Sequence, residues 1–153
     1  PYLIDGEVKL SEAIACVHYA AMKGKSELLG KSEKERATVM MLYGVVGDVR
    51  TEFANMCFVK KEEFDDKKKA SWDKARPKLG YLNNFLGKKD SLMEYATIAD
   101  VYLYVCLSLY KLVEPEGTLL KEFPNVEAHY NRFHNCDEFK KYRESDRYVP
   151  FIF

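Results

Sequence analysis

Two groups of side chains have chemical types that could bind a metal ion or act as nucleophiles. His129, His134 and Cys136 could supply metal ligands, but spacings of five and two residues do not place them on one helical face. No fourth ligand lies nearby in the sequence. Cys16 and His18 lie two positions apart on a predicted helix, so their side chains point in different directions. We therefore predict neither a metal site nor a nucleophilic Cys–His pair.

Other motifs that carry chemistry are also absent from the sequence. It contains no phosphate-binding glycine loop, no nucleophile elbow and no motif of paired carboxylates. The 24 basic and 24 acidic residues balance, so net charge gives no reason to expect nucleic acid as a partner. The 11 Tyr and nine Phe residues could supply a core and also line an apolar pocket.

The stretch from Thr97 to Val113 predicts the helix around which the fold is organised. It is apolar on every side apart from a few polar residues such as Ser108 and Lys111, so it should be buried on every side. Thr97 and Asp100 have the spacing of a capping box, in which the threonine oxygen accepts from a first-turn N–H and the carboxylate reaches back. The run is too short for a membrane span, which needs ~20 apolar residues.

Further helices are predicted on both sides of this core helix. Ser32 and Glu35 have capping-box spacing at the start of a long helix. A second long helix is predicted from about residue 66 to Leu86, with Pro77 inside it. Shorter helices follow near the C-terminus. A single helical bundle is the fold that these patterns favour.

The first 24 residues predict a different kind of unit. The pair Asp5-Gly6 lies between two short extended runs, which is a strong hairpin signal. Ser11 can cap the helix that follows, and Gly24 ends it. One hairpin and one helix need a larger sheet to pair with, and that sheet is not in this sequence. Because the chain begins at Pro1 without a methionine, we expect it to be part of a longer protein.

The cysteines indicate a reducing compartment. Cys16, Cys57, Cys106 and Cys136 lie far apart without a C-x-x-C pair, and three of them lie in apolar helical surroundings. This pattern fits reduced thiols better than a disulfide framework. No signal peptide or lipidation motif is visible. We therefore expect a cytoplasmic protein.

Five segments, in the correct order, resemble the cytosolic glutathione transferases, and among them the mu class. They are PYLIDGEVKLSEAIACVHYAAMKG at residues 1–24, NFLGK at 84–88, TIAD at 97–100, FPNV at 123–126 and RYVPFIF at 147–153. The resemblance covers all 153 residues. It implies a mainly α fold, in which a C-terminal helical bundle follows a β-hairpin and helix from a truncated thioredoxin-like domain. The implied divisions are a partial glutathione-binding domain at 1–24, a linker at 25–31 and a helical domain at 32–153.

The resemblance also implies which residues would bind glutathione, the family's co-substrate. Pro1 matches a proline that the family holds cis beside the cysteinyl backbone of glutathione. Glu12 and Ala13 match an acid-or-amide and serine pair at a helix start, where the γ-glutamyl carboxylate is held. Ala13 lacks the serine hydroxyl, and losing its hydrogen bond would cost ~1.5–3 kcal/mol of binding. Asp48 matches the aspartate that reaches across a dimer toward the neighbouring subunit's glutathione.

A second implied set of residues would line the site for a small hydrophobic electrophile. Gly47, Thr51, Ala54 and Phe58 match positions on the family's fourth helix, and Phe153 matches an aromatic residue that covers the pocket. Phe58 replaces a tyrosine that acts as an acid in some mu-class members. The hydroxyl that stabilises the glutathione thiolate lies on the family's first strand, which has no match here. No catalytic residue and no metal ligand is therefore assigned within this chain.

The resemblance gives Thr97 and Asp100 a structural role, because they match the capping box of the family's core helix. We expect Asp100→Ala to cost ~0.5–2 kcal/mol of stability, as for an ordinary helix cap. The Gly-Asp that the family places before this helix is replaced here by Met93-Glu94-Tyr95.

Hypotheses from different functional classes remain open. The first is a homodimeric glutathione transferase for detoxification, which conjugates the glutathione thiolate to hydrophobic electrophiles once intact. The second is a non-catalytic member of the fold that serves as a structural or interaction subunit of a larger assembly, as Ala13 and Phe58 suggest. A carrier of hydrophobic ligands without turnover also fits the many aromatic residues. None of these hypotheses requires a membrane span or nucleic acid.

Overall fold

The computed structural model describes residues 1–150, which form one β-hairpin followed by seven α-helices. Strands β1 (Tyr2–Asp5) and β2 (Val8–Ser11) pair antiparallel. The helices are α1 (Ala13–Gly24), α2 (Glu33–Cys57), α3 (Phe64–Leu86), α4 (Ile98–Val113), α5 (Thr118–Lys121), α6 (Pro124–Asn135) and α7 (Asp137–Arg143), with short 3-10 helices at Ser26–Leu29 and Lys61–Glu63. The prediction of a mainly α fold after a hairpin is confirmed. None of the helices within residues 1–150 is long and apolar enough to cross a membrane.

The hairpin forms where the Asp-Gly pair predicted it, but the start of α1 differs from the expectation. Gly6 adopts a φ of 59° at the turn, a conformation that glycine tolerates because it has no Cβ. Ser11 does not cap α1, since it belongs to β2 and lies opposite Tyr2 in the ladder. The residue before the helix is Glu12, whose side chain makes no capping hydrogen bond. The first turn of α1 is therefore left without a side-chain cap.

The two long helices α2 and α3 pack side by side and α2 also packs on α4. Helix α2 begins with the predicted capping box, in which the Glu35 N–H donates to Ser32 Oγ at 3.2 Å. Helix α3 continues through Pro77. Proline has no backbone N–H, but because Pro77 is exposed, the hydrogen bond that it cannot donate is not lost in the protein interior. Gly87 ends α3 with a φ of 53°.

Helix α4 lies at the centre of the bundle, as its apolar sequence predicted. It contacts α1, α2 and α6. Its buried residues, most of them apolar, are Ile98, Ala99, Asp100, Leu103, Tyr104, Cys106, Leu107, Leu109 and Tyr110. The burial lessens at the C-terminal end, where Leu112 is 49% exposed. The hydrophobic face that each neighbouring helix turns inward is covered by this helix.

The carboxylate of Asp100 is fully buried and makes four polar contacts. Oδ2 accepts from the N–H and from the hydroxyl of Thr97, both at 2.8 Å, within the predicted capping box. Oδ1 accepts from the Leu92 N–H at 2.6 Å and lies 3.0 Å from His129 Nε2 on α6. Both His129 and Asp100 have a side-chain exposure of 0%. The carboxylate therefore fixes the start of α4, the loop before it and helix α6 together.

Tyr95 connects the loop before α4 to the start of α2. Its hydroxyl donates to Glu35 Oε2 at 2.8 Å, and the Lys31 N–H lies 2.7 Å from the same carboxylate oxygen. These hydrogen bonds, that of Tyr95 first, lower the pKa of Glu35. The Lys31 ammonium lies 4.2 Å from the centre of the Tyr95 ring. The segment Met93-Glu94-Tyr95, which replaces the family's Gly-Asp, thus includes a tyrosine that joins the N-termini of two helices.

We expect Asp100→Ala to cost more than the ordinary loss of a cap. The substitution leaves the buried Thr97 and Leu92 N–H groups and the His129 ring without their acceptor, so we expect a loss of about 3–5 kcal/mol in the free energy of unfolding. Urea denaturation of both proteins measures it. Asp90→Ala is the matched control, because Asp90 is exposed and pairs only with the partly exposed Arg132. A loss for Asp100→Ala no larger than that of the control contradicts the structural role.

The Tyr95–Glu35 hydrogen bond predicts a pH-dependent effect. Since the pKa of Glu35 is lowered in the folded state, its stabilisation is present above the unfolded pKa and is lost as pH falls through the folded pKa. Tyr95→Phe should therefore lower the urea midpoint at neutral pH and lower it less in acid. Tyr81→Phe, at an exposed tyrosine of α3, is the control. A Tyr95→Phe effect that does not diminish in acid argues against this link.

Candidate functional site

The junction between β2 and α1 carries the two residues matched to γ-glutamyl binding. Glu12 adopts φ 72° and ψ 128°, and no other non-glycine residue among residues 1–150 has a positive φ. Such a conformation is costly for a residue with a Cβ and is often found at binding sites. Ala13 follows as the first residue of α1, and both side chains are exposed. Because the first turn has no side-chain cap, its N–H groups and the helix dipole are available to an anionic carboxylate.

Pro1 lies exposed at the edge of the hairpin, directly before β1. No peptide bond between described residues is cis, and the bond that precedes Pro1 is not part of this chain. The role matched to Pro1 therefore stays a prediction. On the strand that follows, Tyr2 is 80% exposed.

Helix α2 carries the residues matched to the electrophile site on one face. Gly47, Thr51, Ala54 and Phe58 follow one another at intervals of four, three and four residues, which is the spacing of a single helical stripe. The Thr51 hydroxyl donates to the Gly47 carbonyl at 2.9 Å. Phe58, just after the end of the helix, is 90% exposed. Phe153, the remaining residue of this set, lies outside the described residues.

Aromatic rings lie beside the Gly47 end of this stripe. A Cβ added at Gly47 would lie 4.0 Å from the Tyr102 ring of α4, so this glycine lies next to that ring. Tyr102 in turn stacks on Tyr43 of α2, with 4.3 Å between ring centres. Burial raises the pKa of both phenols, so both stay protonated at neutral pH. The Gly47 end of the stripe thus lies beside a stacked pair of tyrosine rings, of which Tyr43 is buried and Tyr102 is partly buried.

Asp48 lies on the side of α2 that faces α3. Its carboxylate forms an ion pair with Lys78 Nζ at 2.7 Å, in which both side chains are partly exposed. This hydrogen bond raises the pKa of Lys78. A polar groove of about 200 Å³ lies here between the two helices. It is lined by Asp48, Thr51 and Glu52 of α2 and by Lys74 and Lys78 of α3. In one subunit, then, the aspartate matched to the neighbouring glutathione already has a cationic partner.

The matched residues lie on separate elements and do not form one enclosed pocket in a single chain. Within residues 1–150, no hydrogen bond or ion pair joins Glu12 or Ala13, at the start of α1, to Asp48 on α2, whose ion pair is with Lys78. An aspartate that serves the neighbouring subunit would not need such a contact. The structure thus brings together the α2 stripe and leaves the α1 junction as a second, open part of the candidate site.

The residues first considered as metal ligands or nucleophiles have other surroundings. Among residues 1–150, no group of three or more His, Cys, Asp or Glu side chains could hold a metal ion. His129 is the buried partner of Asp100, a role that spacing alone did not indicate. It does share a helical stripe with Val126 and Phe133, and this periodicity could have marked it as buried. Cys106, which was expected only as a buried thiol, is fully buried, and burial raises its pKa to about 12.

A family model matches the greater part of the helical region. Residues 47–146 match the model described as glutathione S-transferase, C-terminal domain. The match includes the C-terminal part of α2 and all of α3 to α7, and hence both the electrophile stripe and the core helix α4.

Curated relatives match nearly the whole chain. Glutathione S-transferase Mu 1 of Bos taurus is 31% identical over 151 residues, which are 98% of this chain and 66% of the relative. Glutathione S-transferase B of Cavia porcellus is 30% identical over 98% of this chain and 67% of its own length. Glutathione S-transferase Mu 4 of Homo sapiens is 29% identical over similar shares. The chain thus spans about two thirds of the length of the curated relatives it matches.

Solved structures show the same fold. The crystal structure of the glutathione S-transferase Blo t 8 has a TM-score of 0.81 at 24% identity and covers 96% of this chain and 68% of its own. That of a mutant of poplar glutathione transferase F1 has a TM-score of 0.76 at 20% identity, over 92% and 71% of the two chains. From its helical core to its N-terminal hairpin, this chain belongs to the glutathione S-transferase family and is similar to its mu class.

Proposed function

We propose that this chain is the larger part of a glutathione transferase that conjugates the glutathione thiolate to hydrophobic electrophiles. The observation that carries the proposal is the start of α1, where Glu12 holds a positive φ and the first turn has no side-chain cap. The free N–H groups there suit the γ-glutamyl carboxylate of glutathione. The exposed Phe58 at the end of the α2 stripe, and the Tyr102 ring beside Gly47, suit the apolar body of an electrophile.

The proposal includes the organisation of the intact protein. Residues 1–24 would belong to a thioredoxin-like glutathione-binding domain, residues 25–31 to a linker and residues 32–153 to the helical domain. The hairpin exposes Tyr2 and Ile4, at 80% and 63%, which suits strands that continue into a larger sheet. We propose a cytoplasmic homodimer for detoxification, in which Asp48 exchanges its Lys78 partner for contact with the neighbouring subunit's site.

The alternative is a family member that serves as a non-catalytic structural or interaction subunit. It is favoured by Ala13, which lacks the hydroxyl expected at the glutathione carboxylate, and by Phe58, which lacks the phenol used as an acid in some relatives. The ion pair of Asp48 with Lys78 also fits this alternative, because it gives the aspartate a role within one subunit. The two functions differ in whether the intact protein binds glutathione and turns it over.

One prediction from this proposal concerns catalysis by the 153-residue chain alone. We expect no measurable conjugation of glutathione to a chloronitrobenzene substrate, because the family's thiolate-stabilising hydroxyl lies on a strand without a match here. The attacking species is the thiolate, so its stabilisation is needed for the reaction. Product absorbance measures the rate, with a mu-class enzyme as the positive control. A rate of conjugation above the uncatalysed rate would contradict this prediction.

Another prediction concerns the contribution of position 13 to glutathione binding. Ala13→Ser restores a hydroxyl at the first residue of α1, and a hydrogen bond to the charged γ-glutamyl carboxylate should tighten glutathione binding about tenfold or more. Isothermal titration of the intact protein with glutathione measures the affinity. Ala20→Ser, at an exposed position on the same helix, is the matched control and should leave the affinity unchanged.

The two variants separate the site assignment from the overall function. Equal affinities for Ala13→Ser and Ala20→Ser would show that glutathione does not bind at the start of α1. No glutathione binding by either variant or by the unchanged protein would favour the non-catalytic alternative.

A further inference from the structure

A cavity of about 220 Å³ lies between α4, α6, α7 and the segment that follows α7. Its polar lining is formed by Tyr104, Ser108, Lys111, Tyr130, His134, Arg143 and Tyr148. Within residues 1–150, none of the residues matched to glutathione or to the electrophile is among the residues that line it. The cavity therefore needs an explanation of its own.

Two cations of this cavity have no acidic partner. Neither Lys111 nor Arg143 has a carboxylate within 4.0 Å in the part of the chain that the structure describes. The described lining residues include no Asp or Glu either. One Arg143 nitrogen donates to the Tyr104 hydroxyl at 2.9 Å and another donates to the His134 carbonyl. Since a guanidinium has five N–H donors, Arg143 retains donors for an anion.

His134 reports the positive potential of the cavity. Burial lowers its pKa first, and the positive charges of Arg143, Lys111 and Lys140 lower it further. The other titratable groups close to its ring are phenols, since Tyr104 Oη and Tyr130 Oη lie 3.3 Å and 3.5 Å from Nδ1. Cationic and neutral groups thus surround a neutral imidazole, and an anion would be attracted to this cavity.

The walls of the cavity are aromatic. The rings of Tyr104 and Tyr130 stack with 5.6 Å between their centres and 26° between their planes. Tyr130 also stacks on His134 at 5.5 Å, and the Lys111 ammonium lies 5.5 Å from the Tyr130 ring. Both tyrosines are largely buried, so their positions are set by packing rather than by solvent. A flat ring in this cavity would contact fixed aromatic side chains.

We propose that this cavity binds a small aromatic carboxylate, with the carboxylate at Arg143 and Lys111 and the ring against the tyrosines. The volume of this cavity is smaller than that of sites for drug-sized ligands, which is about 300–1,000 Å³. A ligand with a single ring is therefore the size that fits. Arginine binds carboxylates through two parallel N–H groups, which gives the site orientation as well as charge. This inference is independent of whether the intact protein conjugates glutathione.

Benzoate is the probe for this site, and the imidazole signals of the chain report its binding by NMR. A bound carboxylate should raise the pKa of His134, because it offsets the neighbouring positive charges. His18 and His129 are internal controls, since neither lines the cavity. Benzamide, which has the ring without the charge, and acetate, which has the charge without the ring, should both bind more weakly than benzoate.

Substitutions locate the binding. Arg143→Gln should weaken benzoate about tenfold or more through the lost charged hydrogen bonds, and Lys111→Met should weaken it as well. Lys141→Gln, at an exposed lysine of α7 outside the lining, should leave the affinity unchanged. Circular dichroism confirms folding, and if Arg143→Gln does not fold, Lys111→Met decides.

Three results would overturn the proposal. The first is the absence of saturable benzoate binding. The second is benzoate binding that raises the pKa of His134 no more than that of His18, or that is as tight in Lys111→Met as in Lys141→Gln. The third is an affinity for acetate or benzamide equal to that for benzoate, which would show that the aromatic walls or the cations take no part.

Discussion

The buried carboxylate of Asp100 is the constraint on which the rest of the structure depends. A carboxylate with no exposed surface must have its lone pairs occupied, and here the donors come from three places. Leu92 belongs to the loop before α4, Thr97 caps that helix, and His129 comes from α6. These contacts set the position of the core helix, against which α1, α2 and α6 pack. This helix also supplies Tyr102, which lies beside the α2 stripe, and four side chains of the cavity at Arg143.

Much of the fold followed from local patterns, because the signals concerned were local. The capping boxes of α2 and α4, the Asp-Gly hairpin and the apolar core helix each depend on residues a few positions apart, and each is present. The partners of these residues did not follow. His129 lies 29 residues from Asp100, and Tyr95 lies 60 residues from Glu35. Spacing along one helix carries no information about such pairs, whose contacts are formed only when separate elements pack.

The candidate site was less predictable than the fold. Three α2 positions and Phe58, directly after the helix, have the spacing of one stripe, but the resemblance and not the periodicity singled them out. The positive φ of Glu12 was not foreseen, and Ser11 lies in β2 rather than at a cap. A backbone torsion at a strand–helix junction is set by how the hairpin and α1 pack, and residue type alone does not report it. The Asp48–Lys78 ion pair joins two different helices, so residue type and spacing do not report it either.

Tyr95 has a consequence beyond the stability of one hydrogen bond. One phenol holds the first turn of α2, through Glu35, beside the loop that leads into α4. Helix ends fray first when a protein opens locally, and each end usually does so on its own. Fraying of the first turn of α2 removes the acceptor that holds Tyr95, and opening of the loop before α4 removes the donor that holds Glu35. We therefore expect these two helix N-termini to open together more often than unlinked helix ends would.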